Sequence, residues 1–143
     1  MRVELENKTG RTLAYQTGMS VGLDVEANVD VILEPMKVTV VPTGLWIKSY
    51  DLECSQLGEI QVRLRSSLAA KHNIILANGI GTIDLDYPNE IGVLLLNLGK
   101  EPFTIKKGTR VAQLVLAEAE YLSGNDITVQ HGERLGGYGS TGN

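Results

Sequence analysis

The sequence predicts an all-β domain in a closed or double-layered arrangement. Short runs rich in Val, Ile and Leu recur at close spacing, each about the length of an ordinary strand. The breaks between them carry Gly, Pro, Asn or Asp, as in Glu34-Pro35, Pro42-Thr43-Gly44, Pro88-Asn89 and Lys107-Gly108. Helices alternating with strands, which a parallel sheet needs, are missing from the pattern.

In order, the runs are Leu23 to Ala27, Val29 to Leu33, Lys37 to Val41, Gly44 to Ile47, Glu59 to Leu64, Ile74 to Leu76, Ile91 to Leu96 and Val111 to Ala117. Several are apolar enough to be buried on both faces, which favours a closed or layered fold over one open sheet. One segment departs from this rhythm. Ser66-Ser67-Leu68-Ala69-Ala70-Lys71-His72 combines a capping hydroxyl, good helix formers and a basic last turn, and predicts a short helix with a serine N-cap. Arg65, Ser66 and Ser67 stand at its start, where free N–H groups favour an anion such as phosphate. The plainer reading is a serine cap beside a solvated arginine.

Gly81-Thr82-Ile83-Asp84-Leu85-Asp86-Tyr87 reads as a glycine-led turn between two apolar strands, with more polar groups than a turn requires. Two readings stand: a chemical site, or a hairpin whose carboxylates face water. From Ser123 onward apolar density falls, and Arg134-Leu135-Gly136-Gly137-Tyr138-Gly139-Ser140-Thr141-Gly142 places four glycines around one aromatic ring. Such a tail is either a disordered terminus or an arm that orders over a ligand, with Tyr138 stacked on a flat ring.

At 143 residues with 43% hydrophobic content, the chain is one domain able to bury a full core. A net charge of -4 and a pI near 5.2 argue against a nucleic-acid backbone as the main partner. No apolar run approaches the roughly 20 residues that span a bilayer, and Met1 to Glu6 lacks a signal-peptide core, so a soluble, cytoplasmic protein is expected. Cys54 has no cysteine partner and reads as a packing residue, while His72 and His131 read as structural or solvent-facing. No Walker-type loop, zinc-protease helix or dinucleotide fingerprint occurs.

Five motifs in order resemble those of the trimeric dUTP pyrophosphatases (dUTPases), across nearly the whole chain. They are Val21-Gly22-Leu23-Asp24-Val25, Arg65-Ser66-Ser67-Leu68-Ala69, Asn78 to Glu90, Gly108-Thr109-Arg110-Val111-Ala112-Gln113-Leu114-Val115, and Gly136 to Gly142. The resemblance implies a jelly-roll-like β-barrel or sandwich spanning residues 1–122, with an arm at 123–143. It further implies a homotrimer whose sites are shared between subunits, and hydrolysis of dUTP to dUMP and diphosphate with Mg2+. Mapped onto this sequence, Asp84 is the base that activates water, and Asp24 holds waters of the magnesium ion. Arg65, Ser66, Ser67 and Gln113 bind phosphate oxygens. Asn78 and the backbone of Gly81, Thr82 and Ile83 read uracil, while Tyr87 packs under the deoxyribose. From the tail of another subunit, Tyr138 stacks on uracil, Gly139 joins the substrate-binding residues, and Arg134, Ser140 and Thr141 bind the γ-phosphate.

The sequence departs from the family pattern at five places, one being Tyr138 in place of the usual phenylalanine. Leu64 replaces a proline before Arg65, and Pro88-Asn89 replaces Arg-Gly after the tyrosine. Glu133 occupies the usual tail-arginine position, with Arg134 one residue later, and Lys48 to Leu57 is longer and more polar than usual. That long segment is also a candidate surface for a regulatory protein partner. A dCTP deaminase, the nearest rival, lacks the Asp-x-Asp-Tyr turn.

Overall fold

The computed structural model describes residues 1–130 and 132. The order is β1 (Arg2–Asn7), β2 (Leu23–Glu26), β3 (Val31–Leu33), β4 (Val38–Pro42), β5 (Leu45–Asp51), β6 (Leu57–Leu64), α1 (Ser66–His72), β7 (Ile74–Leu76), β8 (Gly81–Asp84), β9 (Gly92–Asn97), β10 (Phe103–Ile105) and β11 (Arg110–Ala119). Every predicted run overlaps a strand, and the predicted helix spans the expected residues.

Two main sheets, β2-β11-β6-β8 and β4-β9-β7, enclose one core, and the pairs β1-β5 and β10-β3 flank them. All these pairings are antiparallel. Among the described residues no sheet closes on itself, so the layered arrangement is the one realised, not the barrel. Alternation builds the core: Ile60 and Val62 of β6 point in with Leu114 of β11, and Val93 and Leu95 of β9 meet them from the other layer. No described helix is long and apolar enough to cross a membrane.

Two local expectations are corrected. The N-cap of α1 is Arg65, in an extended conformation and without a side-chain capping bond, so no serine caps the helix. At its other end Asn73 takes a left-handed conformation with φ 55°, a role its short polar side chain tolerates. The glycine-led turn is also not a simple hairpin tip. β7 and β9 pair directly, Ile75 opposite Leu96, and residues 77–91 make an excursion between them. After a first turn closed by the Gly79 N–H donating to Leu76 O at 3.1 Å, Gly81–Asp84 is a strand added to the other sheet beside β6, and Asp84 to Tyr87 forms a second turn, closed by Tyr87 N–H donating to Asp84 O at 3.0 Å.

The foot of this excursion is clamped by the Pro42-Thr43-Gly44 corner. Thr43, 1% exposed, donates its hydroxyl to Ile91 O at 2.6 Å, and the Gly44 N–H donates to Glu90 Oε1 at 2.7 Å. Gly44 has φ +73°, a conformation that favours glycine. At the tip, buried Leu85 anchors the turn in the core while Asp84 and Asp86 on either side of it stay exposed.

Candidate functional site

Asp24 on β2 organises the first half of the site. It lies opposite Gln113 of β11, which lies opposite Arg63 of β6, so the three form one row on one sheet face. The Asp24 carboxylate is largely covered and sits between two guanidiniums: Arg110 Nη1 donates to Oδ2 at 3.1 Å, and Arg65 Nε stands 3.6 Å from Oδ1. A Cβ at Gly22 would strike Gln113 Oε1, so the glycine gives the Gln113 side chain its room. Ser66 and Ser67 follow Arg65 directly in the first turn of α1, Ser66 exposed and Ser67 half-buried. Two arginines against one carboxylate leave this corner net cationic, and amide and hydroxyl donors surround it. Such a corner suits a polyanion.

The excursion carries the second half. Asn78, Gly81, Ile83, Asp84 and Tyr87 all belong to it, with Asn78 exposed and Tyr87 half-buried. Strand alternation sorts its residues: Thr82 and Asp84 project to the face of Gln61 and Glu59, and Ile83 projects to the face of Ile60. A cavity of about 550 Å³ takes in Thr82, Asp84 and Asp86 together with Glu59, Tyr50 and Tyr121. It contains none of the Asp24, Arg65, Gln113 group, and none of Asn78, Ile83 or Tyr87.

The two halves do not meet within one chain. Asp84 is four residues along β6 and three strands across from the Asp24 row. At about 3.4 Å per residue and 4.8 Å per strand, the two backbones stand on the order of 20 Å apart. The predicted tail residues Arg134, Tyr138, Gly139, Ser140 and Thr141 lie outside the described residues. One further residue of this corner, Arg110, lay inside a recognised motif without an assigned role. The available signal was its place on the strand that also carries Gln113.

A family model described as dUTPase matches residues 8–142. The chain belongs to the dUTPase family. A protein of Cytophaga hutchinsonii named deoxyuridine 5'-triphosphate nucleotidohydrolase is 41% identical over 145 residues, covering 98% of this chain and 91% of that protein. One of the same name from Rickettsia typhi is 43% identical over 143 residues, covering 97% and 93%. The fold is that of solved dUTPases: the Streptococcus mutans enzyme superposes with a TM-score of 0.70 at 24% identity over 84% of this chain and 98% of its own. The dUTPase of Staphylococcus bacteriophage 80alpha gives 0.72 at 18% identity, over 92% of this chain and 99% of its own. These likenesses give the layered β arrangement its jelly-roll-like character.

Among the described residues no group of three or more His, Cys, Asp or Glu is placed to hold a metal ion. Asp24 is a lone carboxylate already faced by two arginines. That donor set does not suit a resident ion. It does suit one that arrives chelated by phosphates and keeps its waters, as magnesium commonly does.

Proposed function

We propose that this dUTPase-family chain hydrolyses dUTP to dUMP and diphosphate, in sites shared between the copies of a homotrimer. The observation that carries the reading is the cationic corner of Asp24, Arg65, Arg110 and Gln113, whose donors match a triphosphate. Arg65, Ser66, Ser67 and Gln113 bind phosphate oxygens, and Asp24 accepts hydrogen bonds from the waters of a magnesium ion that enters with the nucleotide. Asn78 and the backbone at Gly81, Thr82 and Ile83 read the base. Tyr87 fills the space a 2′-hydroxyl would need, which excludes UTP.

Asp84 of a neighbouring copy is the general base. It takes a proton from water as the water oxygen bonds the α-phosphorus, and the bond from that phosphorus to the bridging oxygen breaks, releasing diphosphate. A carboxylate is a weak base, so positioning and charge neutralisation supply most of the acceleration. The roughly 20 Å between the halves of the site in one chain supports the sharing. The arm at 123–143 closes over the site from a third copy, bringing Tyr138 to the base and Arg134, Ser140 and Thr141 to the γ-phosphate.

Diphosphate release from dUTP, dCTP, dTTP and UTP, each with magnesium, tests the reading. dUTP is expected to be strongly preferred, and Asp84→Asn is expected to lower kcat by about 10²–10⁴-fold with little change in KM. Ammonia release from dCTP, or no turnover of dUTP, would overturn it. Full turnover in Asp84→Asn would remove that residue from the role of base.

A further inference from the structure

Glu59 of β6 stands directly opposite Asp84 of β8, so the two side chains leave the sheet on one face with Cβ atoms about 5 Å apart. Both line the cavity of about 550 Å³, and Asp86 lines it with them. Like charges placed opposite one another destabilise a sheet, and positions that break such a rule concentrate at functional sites.

Glu59 is held against turning away. Its Oε1 accepts a hydrogen bond from Gln61 Nε2 at 2.8 Å, while Gln61 Oε1 accepts from Arg63 Nε at 3.1 Å and from Nη2 at 2.6 Å. The arginine fork thus takes the carbonyl of Gln61 and leaves its amide to face Glu59. These three residues alternate with Ile60 and Val62, whose burial in the core fixes the face from which the polar side chains project. At the far end of the row Arg63 lies opposite Gln113 of the cationic corner.

With Glu59 pinned, Asp84 is the partner that must yield. β6 pairs with β8 on one side, and among the described residues no strand pairs with it on the other. Repulsion from Glu59 therefore directs the Asp84 carboxylate toward the unpaired edge of β8. Under the proposed function that edge meets the nucleotide, through the backbone of Gly81, Thr82 and Ile83.

We infer that Glu59 is a positioning residue for Asp84: pinned by Gln61 and Arg63, its charge holds the Asp84 carboxylate on the nucleotide side of β8, where it can orient the attacking water. The inference rests on Asp84 being the general base and adds what aims it. Glutamine at position 59 removes the charge at nearly constant volume and offers an amide donor instead, which draws the Asp84 carboxylate back toward β6.

Steady-state dUTP hydrolysis by the full chain with magnesium, in the wild type, Glu59→Gln, Asp84→Asn and the double variant, tests this. Glu59→Gln alone is expected to lower kcat about 10- to 100-fold, the scale on which a misplaced catalytic group acts, with KM and the urea unfolding midpoint unchanged. In the Asp84→Asn background the same change is expected to cost less than about threefold, because the charge then has no carboxylate to aim. Where Asp84→Asn turns over too slowly to compare, Gln61→Met decides, since it unpins Glu59 and keeps its charge: a fall in kcat at constant KM supports the inference, and wild-type kinetics overturn it. An unchanged kcat in Glu59→Gln, a rise in KM in place of the fall in kcat, or equal losses in the two backgrounds would overturn the inference and leave Asp84 as the base. Full turnover in Asp84→Asn, or no turnover of dUTP by the wild type, defeats the catalytic reading and this inference with it.

Discussion

Gly81 shows how one residue type can be read correctly as special and for an incomplete reason. In the sequence it opens a turn. In the fold it is a strand residue opposite Val62, and a Cβ there would stand 2.9 Å from Val62 Cβ and 3.1 Å from Cγ2. Val62 is 2% exposed in the packed core and has nowhere to retreat. Gly81→Ala is therefore expected to destabilise the fold by about 1–3 kcal/mol, the usual cost of overpacking, measured by urea unfolding. Val62→Ala on the same chain should restore part of the loss, because the two sites share one clash. Equal losses with and without the Val62 change would refute the close-approach explanation. Other residues were legible through motif order: Asp24, Arg65 and Gln113 do converge on one corner. Arg110 was not assigned because its value is relational. Nothing in Thr109-Arg110-Val111 states that its guanidinium reaches a carboxylate on β2.

At the scale of elements, the strands rich in branched apolar residues were legible and three others were not. β1 alternates Val3 and Leu5 with Arg2, Glu4 and Glu6, so it never forms an apolar run even though its period is two. β10 has only three residues, and β8 hides behind a leading glycine and a closing aspartate that usually mark turns. The missed strand β1, paired with β5, carries a pH-dependent tie. A hydrogen bond from Lys48 Nζ at 2.8 Å, the charge of Lys48 and a hydrogen bond from Ser49 Oγ at 3.2 Å lower the Glu4 carboxyl below its ordinary 4.5. The hydrogen bond and charge of Glu4 raise the Lys48 ammonium above 10.5. The depressed acid contributes fully above 4.5 and is lost as pH falls through its folded value. The raised base contributes fully below 10.5 and is lost as pH rises through its own. Glu4→Gln is thus expected to lower stability most between those limits and least at pH 3 and pH 11, in urea unfolding series. A stability difference that is flat across that range would show that the pair contributes nothing, as many exposed pairs do.

Under the proposed function, one chain holds two incomplete half-sites. The cationic corner and the excursion are each rigidly held, the first by Asp24 between its arginines and the second by the Thr43 and Gly44 clamp. Sequence motifs named both halves but carried no distance between them, because that distance is set by strand order and register. Under the proposed function both half-sites lie within residues 1–130, and the glycine-rich tail closes over the bound nucleotide. Deleting residues 133–143 is therefore expected to preserve sedimentation and unfolding temperature. Turnover should fall by about 10²-fold or more, the scale on which losing a substrate-positioning lid acts. Arg134→Ala alone should raise KM if that arginine, one residue later than the family's usual position, still reaches the γ-phosphate. Loss of assembly on deletion would make the arm structural, and unchanged turnover would show that the half-sites are complete without it.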